Sequence, residues 1–392
     1  MLSNSMTVPS ELLNKSLKPN FQLGFVFTNS LPYALDKFRY FLVAKSLLLG
    51  LGLILFPLNL SAQETVDKLQ VSGYLEAYYS FDFSRPFSHE RPSFLYNFKR
   101  HNEFSFNMAL LQLTYTSGKT RANIGAMAGT YAQYNLADEP MWAQFVYEAS
   151  VGVQLLEKLW LDVGIMPSHI GFESAVGLDC WHLSRSILAE NSPYFLTGAR
   201  LSYAINKKLE ATLWVTNGWQ NVQRPEGYQS PGLGLGVIYK PTGDVTLNYA
   251  NYLGNESTYP IKMYRFFNNF YLQKYSDLVN VTIGADVGVE QRLFRAGLNS
   301  WYGITFSLQK QLTEQFTLAG RAEYYSDTKG VILANGMQLS GFSLNLDYSI
   351  TEKAVIRIEG RQFISPEPIF EQPTGWMNRG NLAINTSLAM RF

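Results

Sequence analysis

The chain closes on NLAINTSLAMRF, residues 381–392, and the reading of this stretch decides the fold. Taken alternately, Leu382, Ile384, Thr386, Leu388, Met390 and Phe392 form one face. Asn381, Ala383, Asn385, Ser387, Ala389 and Arg391 form the other. A period of two is that of a β-strand with one apolar and one polar side. Chain ends are usually frayed and polar, so an amphipathic strand that finishes on a bare aromatic needs a reason.

Upstream the pattern recurs. In VSGYLEAYYSF (71–81), Val71, Leu75, Ala77, Tyr79 and Phe81 oppose Ser72, Tyr74, Glu76, Tyr78 and Ser80. TRANIGAMAGT (120–130), LEATLWVT (209–216), VTIGADVGVE (281–290), QFTLAGRAEYY (315–325) and KAVIRIEGR (353–361) repeat it, with every charge on the polar face. A soluble sandwich also alternates, but its strands run about 5–6 residues. These runs last about 10–13, the length a tilted strand needs to cross a bilayer. On the charge-free face a Lys or Arg at mid-membrane would cost roughly 2–4 kcal/mol.

The spacing predicts strands at 70–81, 103–116, 120–132, 145–156, 159–166 and 195–205. It continues with 208–217, 231–240, 244–253, 262–274, 278–290, 299–310, 315–325, 337–350, 353–363 and 381–392. The class is all-β: a transmembrane antiparallel up-and-down barrel of about sixteen strands, an even number being the bacterial rule. The segments 103–116 and 262–274 have poor phase, which leaves fourteen or eighteen open. Short connections such as TSGK, EK, NK and TEK alternate with long ones, as turns on one side of a membrane and loops on the other require.

Composition agrees. Of 392 residues, 16% are charged and 15% aromatic, against roughly 25% charged in soluble domains. Mean hydropathy is −0.08, too low for a bundle of apolar spanning helices. A net charge of +1 gives no reason to expect nucleic acid. Cys180 is the only cysteine, which excludes an intrachain disulfide framework and a Cys-cluster zinc site. His89, His101, His169 and His182 show no HExxH-type spacing, and neither a metal nor a cofactor is expected.

Lys37, Arg39 and Lys45 precede the apolar run SLLLGLGLILFPLNL and the small-residue stretch SAQE. This reads as a signal peptide over 37–62, cleaved after Ala62, with 63–392 as the barrel domain. Residues 1–36 form a preface longer than such signals carry, expected to be an over-extended start or a disordered segment.

The stretches GIMPSHIGFES (164–174), SRSILAENSPY (184–194), NGWQ (217–220) and RFFNNFY (265–271) are more specific than alternation. With GYLEAYYSFD (73–82) and GTYAQYN (129–135), they resemble the second β-barrel porin family (OmpL-like) of Gram-negative outer membranes. The resemblance covers nearly the whole mature chain. It implies an outer-membrane porin, a passive channel for small hydrophilic solutes, exported through the periplasm and carrying no catalytic residues.

Pore-lining candidates on the polar face are Glu76, Arg121, Glu210, Arg321, Glu323, Arg357, Glu359 and Arg361, with Asp162, Arg200, Asp286 and Asp347 beside them. Charges on a pore wall set ion preference, although opposite signs also pair and stiffen the wall. The longest loop, 167–194, is the third long one. By analogy with general porins it is expected to fold inward, so that Glu173, Asp179 and Glu190 face the arginines across an eyelet; the alternative is a loop that closes the mouth or contacts a neighbouring subunit. Enzymatic activity is not expected: Ser168 and His169 are adjacent but would point oppositely on a strand, and no GxSxG is present. A channel selective for sugars or fatty acids, or a structural or adhesive barrel without transport, are the alternatives the residues leave open. Phe392 is expected to act as the assembly signal, placing outer-membrane lipid and the barrel assembly machinery among the partners. A homotrimer is expected by analogy.

Overall fold

Alternation becomes hydrogen-bonded strands over residues 68–392, the part of the chain that the computed structural model describes apart from residues 294, 295 and 334. The preface 1–36 and the signal segment 37–62 lie outside the described residues. The first strands are β1 (Lys68–Asp82), β2 (Phe104–Ser117), β3 (Thr120–Ala128), β4 (Val146–Leu156), β5 (Leu159–Pro167), β6 (Phe195–Asn206), β7 (Leu209–Thr216) and β8 (Gly232–Thr242). Next come β9 (Val245–Asn255), β10 (Tyr264–Lys274), β11 (Asn280–Gln291), β12 (Leu298–Gln311), β13 (Phe316–Asp327), β14 (Met337–Thr351) and β15 (Ala354–Ile364). A small hairpin of β16 (Phe370–Glu371) and β17 (Met377–Asn378) sits in the last loop, and β18 (Gly380–Arg391) follows.

Strands β1–β15 and β18 form one closed antiparallel barrel of sixteen strands. The predicted strands near 103–116 and 262–274 are present, so the count is sixteen rather than fourteen or eighteen. Closure matters because a hydrocarbon layer offers no partner for an open backbone edge. Tight turns gather at one end, where β18 finishes; the long loops gather at the other.

The seam is β1 on β18, with Tyr74 opposite Arg391 and Asp82 opposite Ala383. Phe392 extends it by one further pair: Gly73 and Phe392 exchange N–H···O bonds at 2.9 and 3.0 Å. The Phe392 ring lies against Gly73, where any side chain would collide with it. Leu382, Ile384, Leu388 and Met390 are exposed on the outer face while Asn381, Asn385 and Ser387 are buried inside.

Two departures from strict alternation have local causes. In β2 the pairing jumps from Glu76–Met108 to Ala77–Phe106, leaving Asn107 as an extra residue. This bulge flips the parity, so Phe104 and Phe106 face outward above it and Leu111, Leu113 and Tyr115 below it. The strand expected over 120–132 ends at Ala128. Gly129 turns the chain at φ 124°, its α-carbon close to the Asn107 carbonyl, a conformation that favours glycine. Residues Thr130–Asn135 then form helix α1, with Thr130, Tyr131 and Ala132 buried.

Two apolar clusters lie in the interior, the second reaching down to Tyr74, opposite Arg391. One joins Phe94 and Leu95 of the first loop, Ile187 and Leu188 of the third, and Leu333 to Tyr252, Phe267, Trp301, Leu339 and Phe363 on the wall. The other joins Tyr131, Leu136 and Ala175 to Tyr74, Met108, Leu110 and Phe195.

Candidate functional site: a lumen divided by the third loop

The third loop, residues 168–194, descends inside the barrel. It first touches the β7–β10 wall. The His169 ring stacks on Trp214 at 5.2 Å and 21°, over the bare α-carbons of Gly234 and Gly236. Its Nε2–H donates to the Asn251 carbonyl at 2.9 Å; a carbonyl only accepts, which fixes the tautomer. The Leu235 N–H turns to the Asn251 side-chain Oδ1 at 2.9 Å, so a loop histidine is set into the wall's ladder. Lower down, Gly171 N donates to Asn269 Oδ1 at 3.1 Å, and Phe172 meets Tyr271 edge-on at 5.7 Å.

The loop then crosses the interior. Asp179 pairs with Arg391 at 2.9 Å, and Trp181 lies 5.9 Å from Tyr275. Arg391 ends β18 and Tyr275 directly follows β10, so the crossing reaches the turn end.

The return runs along β15, β14 and β13, where the wall's charges hold the loop's backbone. Arg357 donates to the carbonyls of Gly177 and Cys180 at 2.8 and 3.0 Å. Leu183 N donates to Asn345 Oδ1 at 3.0 Å, and Ser184 N to Glu359 Oε2 at 2.7 Å. Ile187 N donates to Glu323 Oε2 at 2.7 Å. Arg321 and Arg361 donate to the carbonyls of Ser184 and Arg185 at 2.9 and 2.7 Å. Ion pairs Arg321–Glu359 (3.2 Å), Arg361–Glu323 (2.5 Å) and Arg357–Asp347 (2.8 Å) balance the charge. An irregular loop inside a barrel leaves many peptide groups without ladder partners; here inward acids take its N–H groups and arginines its carbonyls.

Arg321, Glu323, Arg357, Glu359 and Arg361 therefore face inward but are sealed beneath the loop, with side chains at most 1% exposed. Glu76 is buried as well, accepting from Asn107 and Ser387. The acids of the loop do not face arginines across an open gap. Glu173 accepts from Ser186, N–H and hydroxyl both, and lies 3.5 Å from Arg321. Glu190 accepts from Tyr96 and Asn97 of the first loop. Only Asp179 is exposed among the three, beside Arg391 at the turn end. The transverse field expected across an eyelet is thus replaced by direct docking, because every acid and arginine of this arc already has a partner.

Two loop histidines carry the electrostatic cost of that docking. Burial, with Arg200 nearby, pushes His169 down to about 4. His182 is driven well below its ordinary value by burial and by Arg321, Arg357 and Arg361; Glu359 stands 4.0 Å from its Nδ1. Ser168 Oγ accepts from Ile170 N, so the adjacent Ser168 and His169 serve different structural contacts.

The arc from β2 to β7 keeps partly exposed inward residues. Gln112, Thr114, Arg121, Asn123, Tyr147, Arg200, Ser202 and Thr212 are half-buried inward residues, and Glu210 is exposed at the turn end. One cross-strand row runs through it. The register sets Arg121 opposite Gly152, Gly152 opposite Asp162, Asp162 opposite Arg200, and Arg200 opposite Trp214. Gly152 leaves the room that lets Arg121 reach over β4. Arg121 forks onto Asp162 at 2.6 and 2.6 Å, and Arg200 holds Asp162 Oδ2 at 3.2 and 3.0 Å. The Arg121 guanidinium lies 4.2 Å over Trp160 and that of Arg200 5.2 Å over Trp214. Arg121, Asp162 and Arg200 were legible as inward; the row itself needed the register. A cavity of about 250 Å³ between the loop and the wall is lined by Tyr131, Tyr147, Phe172, Tyr194 and Tyr271. A second, of about 560 Å³, opens at the loop end around Tyr96, Tyr134, Trp219 and Arg224.

Solved structures share the architecture. The anion-selective porin from Comamonas acidovorans matches at a TM-score of 0.58 and 7% identity, over 83% of this chain and 100% of that one. The trimer form of OmpT, an outer membrane protein of Vibrio cholerae, matches at 0.55 and 9%, over 83% and 99%. The outer membrane channel DcaP of Acinetobacter baumannii matches at 0.54 and 10%, over 83% and 97%. At these identities the likeness shows the fold alone. No curated protein matches by sequence. The sequence profile described as "Putative beta-barrel porin-2, OmpL-like" matches residues 68–392, the whole barrel. The chain belongs to this OmpL-like family of β-barrel porins.

Proposed function

We propose that the protein is a passive outer-membrane channel whose conducting path runs down the β2–β7 side, past the third loop. The observation that carries this reading is the contrast between the two arcs: Arg321, Glu323, Arg357, Glu359 and Arg361 from β13 to β15 are sealed under the loop, whereas Gln112, Thr114, Arg121, Asn123, Arg200, Ser202 and Thr212 from β2 to β7 remain half-exposed. Water and small hydrophilic solutes pass where the wall keeps its polar groups uncovered. The loop sets the bore from the other side, with Phe172 and Tyr194 at its edge. Acyl-transfer chemistry plays no part in this reading, in which Ser168 and His169 serve separate structural contacts.

In this reading the turn end faces the periplasm and the loops face outward, after export and removal of residues 37–62. Phe392 completes the seam and acts in assembly, and the assembled form is a trimer, as described for OmpT of Vibrio cholerae. The test is reconstitution: liposome swelling with sugars of graded size, alongside planar-bilayer conductance. Stepwise conductance and a sharp size limit support the channel; impermeable liposomes together with a silent bilayer refute it.

A further inference from the structure

Among inward-facing arginines of the strands, Arg121 and Arg200 stand apart because they keep a face open to water. Their side chains are 29% and 25% exposed, while the Asp162 they share is 3% exposed. Both use Nε and Nη2 on that one carboxylate. Among the described residues, neither Nη1 has a hydrogen-bond partner. Of the other acids on this arc, Glu148 is 9% exposed and accepts from Ser150, and the exposed Glu210 stands at the turn end, ten residues beyond Arg200 in sequence. Two cations thus share one buried anion, and the surface they show to water is guanidinium. Trp160 and Trp214 lie beneath the two planes and hold them flat against the wall.

We infer that this pair is an oxyanion-binding site inside the channel, taking the carboxylate or phosphate group of small anionic solutes in transit. The inference rests on the channel reading above. Guanidinium N–H groups match the planar geometry of carboxylate and phosphate oxygens better than an ammonium does. Asp162 fixes the pair without exposing its own charge, so an arriving oxyanion meets donors and no repelling oxygen. Gly152 is part of the site, since a side chain there would separate Arg121 from Asp162.

The test uses the purified barrel in planar bilayers. Under a potassium chloride gradient the wild type is expected to favour anions about fivefold, the worth of roughly one charge contact at about 4 Å in water. Inorganic phosphate, and separately acetate, should reduce chloride conductance in a saturable way. The Arg121→Gln, Arg200→Gln double variant should fall to a ratio near one and lose that competition. The Arg121→Lys, Arg200→Lys double variant should keep the anion preference and lose most of the phosphate competition. Lys310→Gln, on the outer face, should change neither. Competition by phosphate alone or acetate alone identifies which oxyanion the site takes. Conducting channels with no anion preference, or with no competition by either anion, overturn the inference and leave the channel reading standing. A preparation that never conducts overturns both.

Discussion

Arg361 Nη1 donates to the backbone carbonyl of Arg185 at 2.7 Å, across 176 residues of sequence. That bond joins a barrel wall to an irregular loop through a charge that is fully buried on both sides. Removing one member of a buried ionic network typically costs about 3–5 kcal/mol. Arg361→Ala is expected to release the loop while the barrel persists. Glu323 would lose its shortest ion pair, and residues 176–190 should become open to protease. Unchanged protection of the loop, with the barrel's heat-dependent gel mobility intact, would contradict this docking scheme.

Deletion of residues 172–190 removes the crossing segment but no strand. Conductance should rise roughly twofold, because the loop fills one of the two arcs of the interior. The wall cations it covered, Arg321 and Arg361 among them, would then face water. A deletion variant conducting like the parent would rule out the loop as the constriction.

Acid should loosen the loop. His169 is held down to about 4, chiefly by burial, and His182 is lowered in the same direction. A released histidine binds protons near 6.5. Between about 6.5 and 4 the released loop therefore takes up more protons than the docked one. Its docking is fully favoured above that window and weakens as pH falls through it. Conductance is expected to increase between pH 7 and 4.5, and the His169→Gln, His182→Gln variant should show a flatter profile. A parent channel indifferent to pH over that range would remove the basis for this expectation.

At the seam, Gly73→Val places a side chain where the Phe392 ring sits. Assembled barrel should fall severalfold, whereas conductance per channel stays at the parental value. Removal of Phe392 should act the same way, since it deletes both bonds to Gly73. Either variant accumulating normally in outer membranes would show that the ring contact is dispensable.

Alternation made all sixteen barrel strands legible, because lipid on one face and polar interior on the other impose a period of two. It blurred where side chains broke the pattern for tertiary reasons. In β2 the cause is Asn107, a bulge residue bonded to Glu76. In β10, Phe267 joins the interior cluster while Asn268, on the opposite parity, accepts from the Tyr249 hydroxyl. The inward direction of Arg321, Arg357 and Arg361 was equally legible. Their partners were not, because those are backbone carbonyls of Ser184, Gly177, Cys180 and Arg185, which carry no sequence signature. The Arg121–Asp162–Arg200 row depends on registers among β3, β4, β5 and β6, and a shift of one residue would have dissolved it.

The β1–β18 pairing also has a kinetic meaning. Ser80 meets Asn385 across 305 residues, whereas most other strands find a neighbour one short turn away. Such a contact can form only after nearly all the chain has been made, and distant closures are slow to nucleate. Throughout that interval one edge of β1 stays unpaired, a template for any passing strand. Whatever escorts the polypeptide to the membrane must therefore shield its beginning until its end arrives. The last contact to form is then also the one that makes the molecule safe from its own copies.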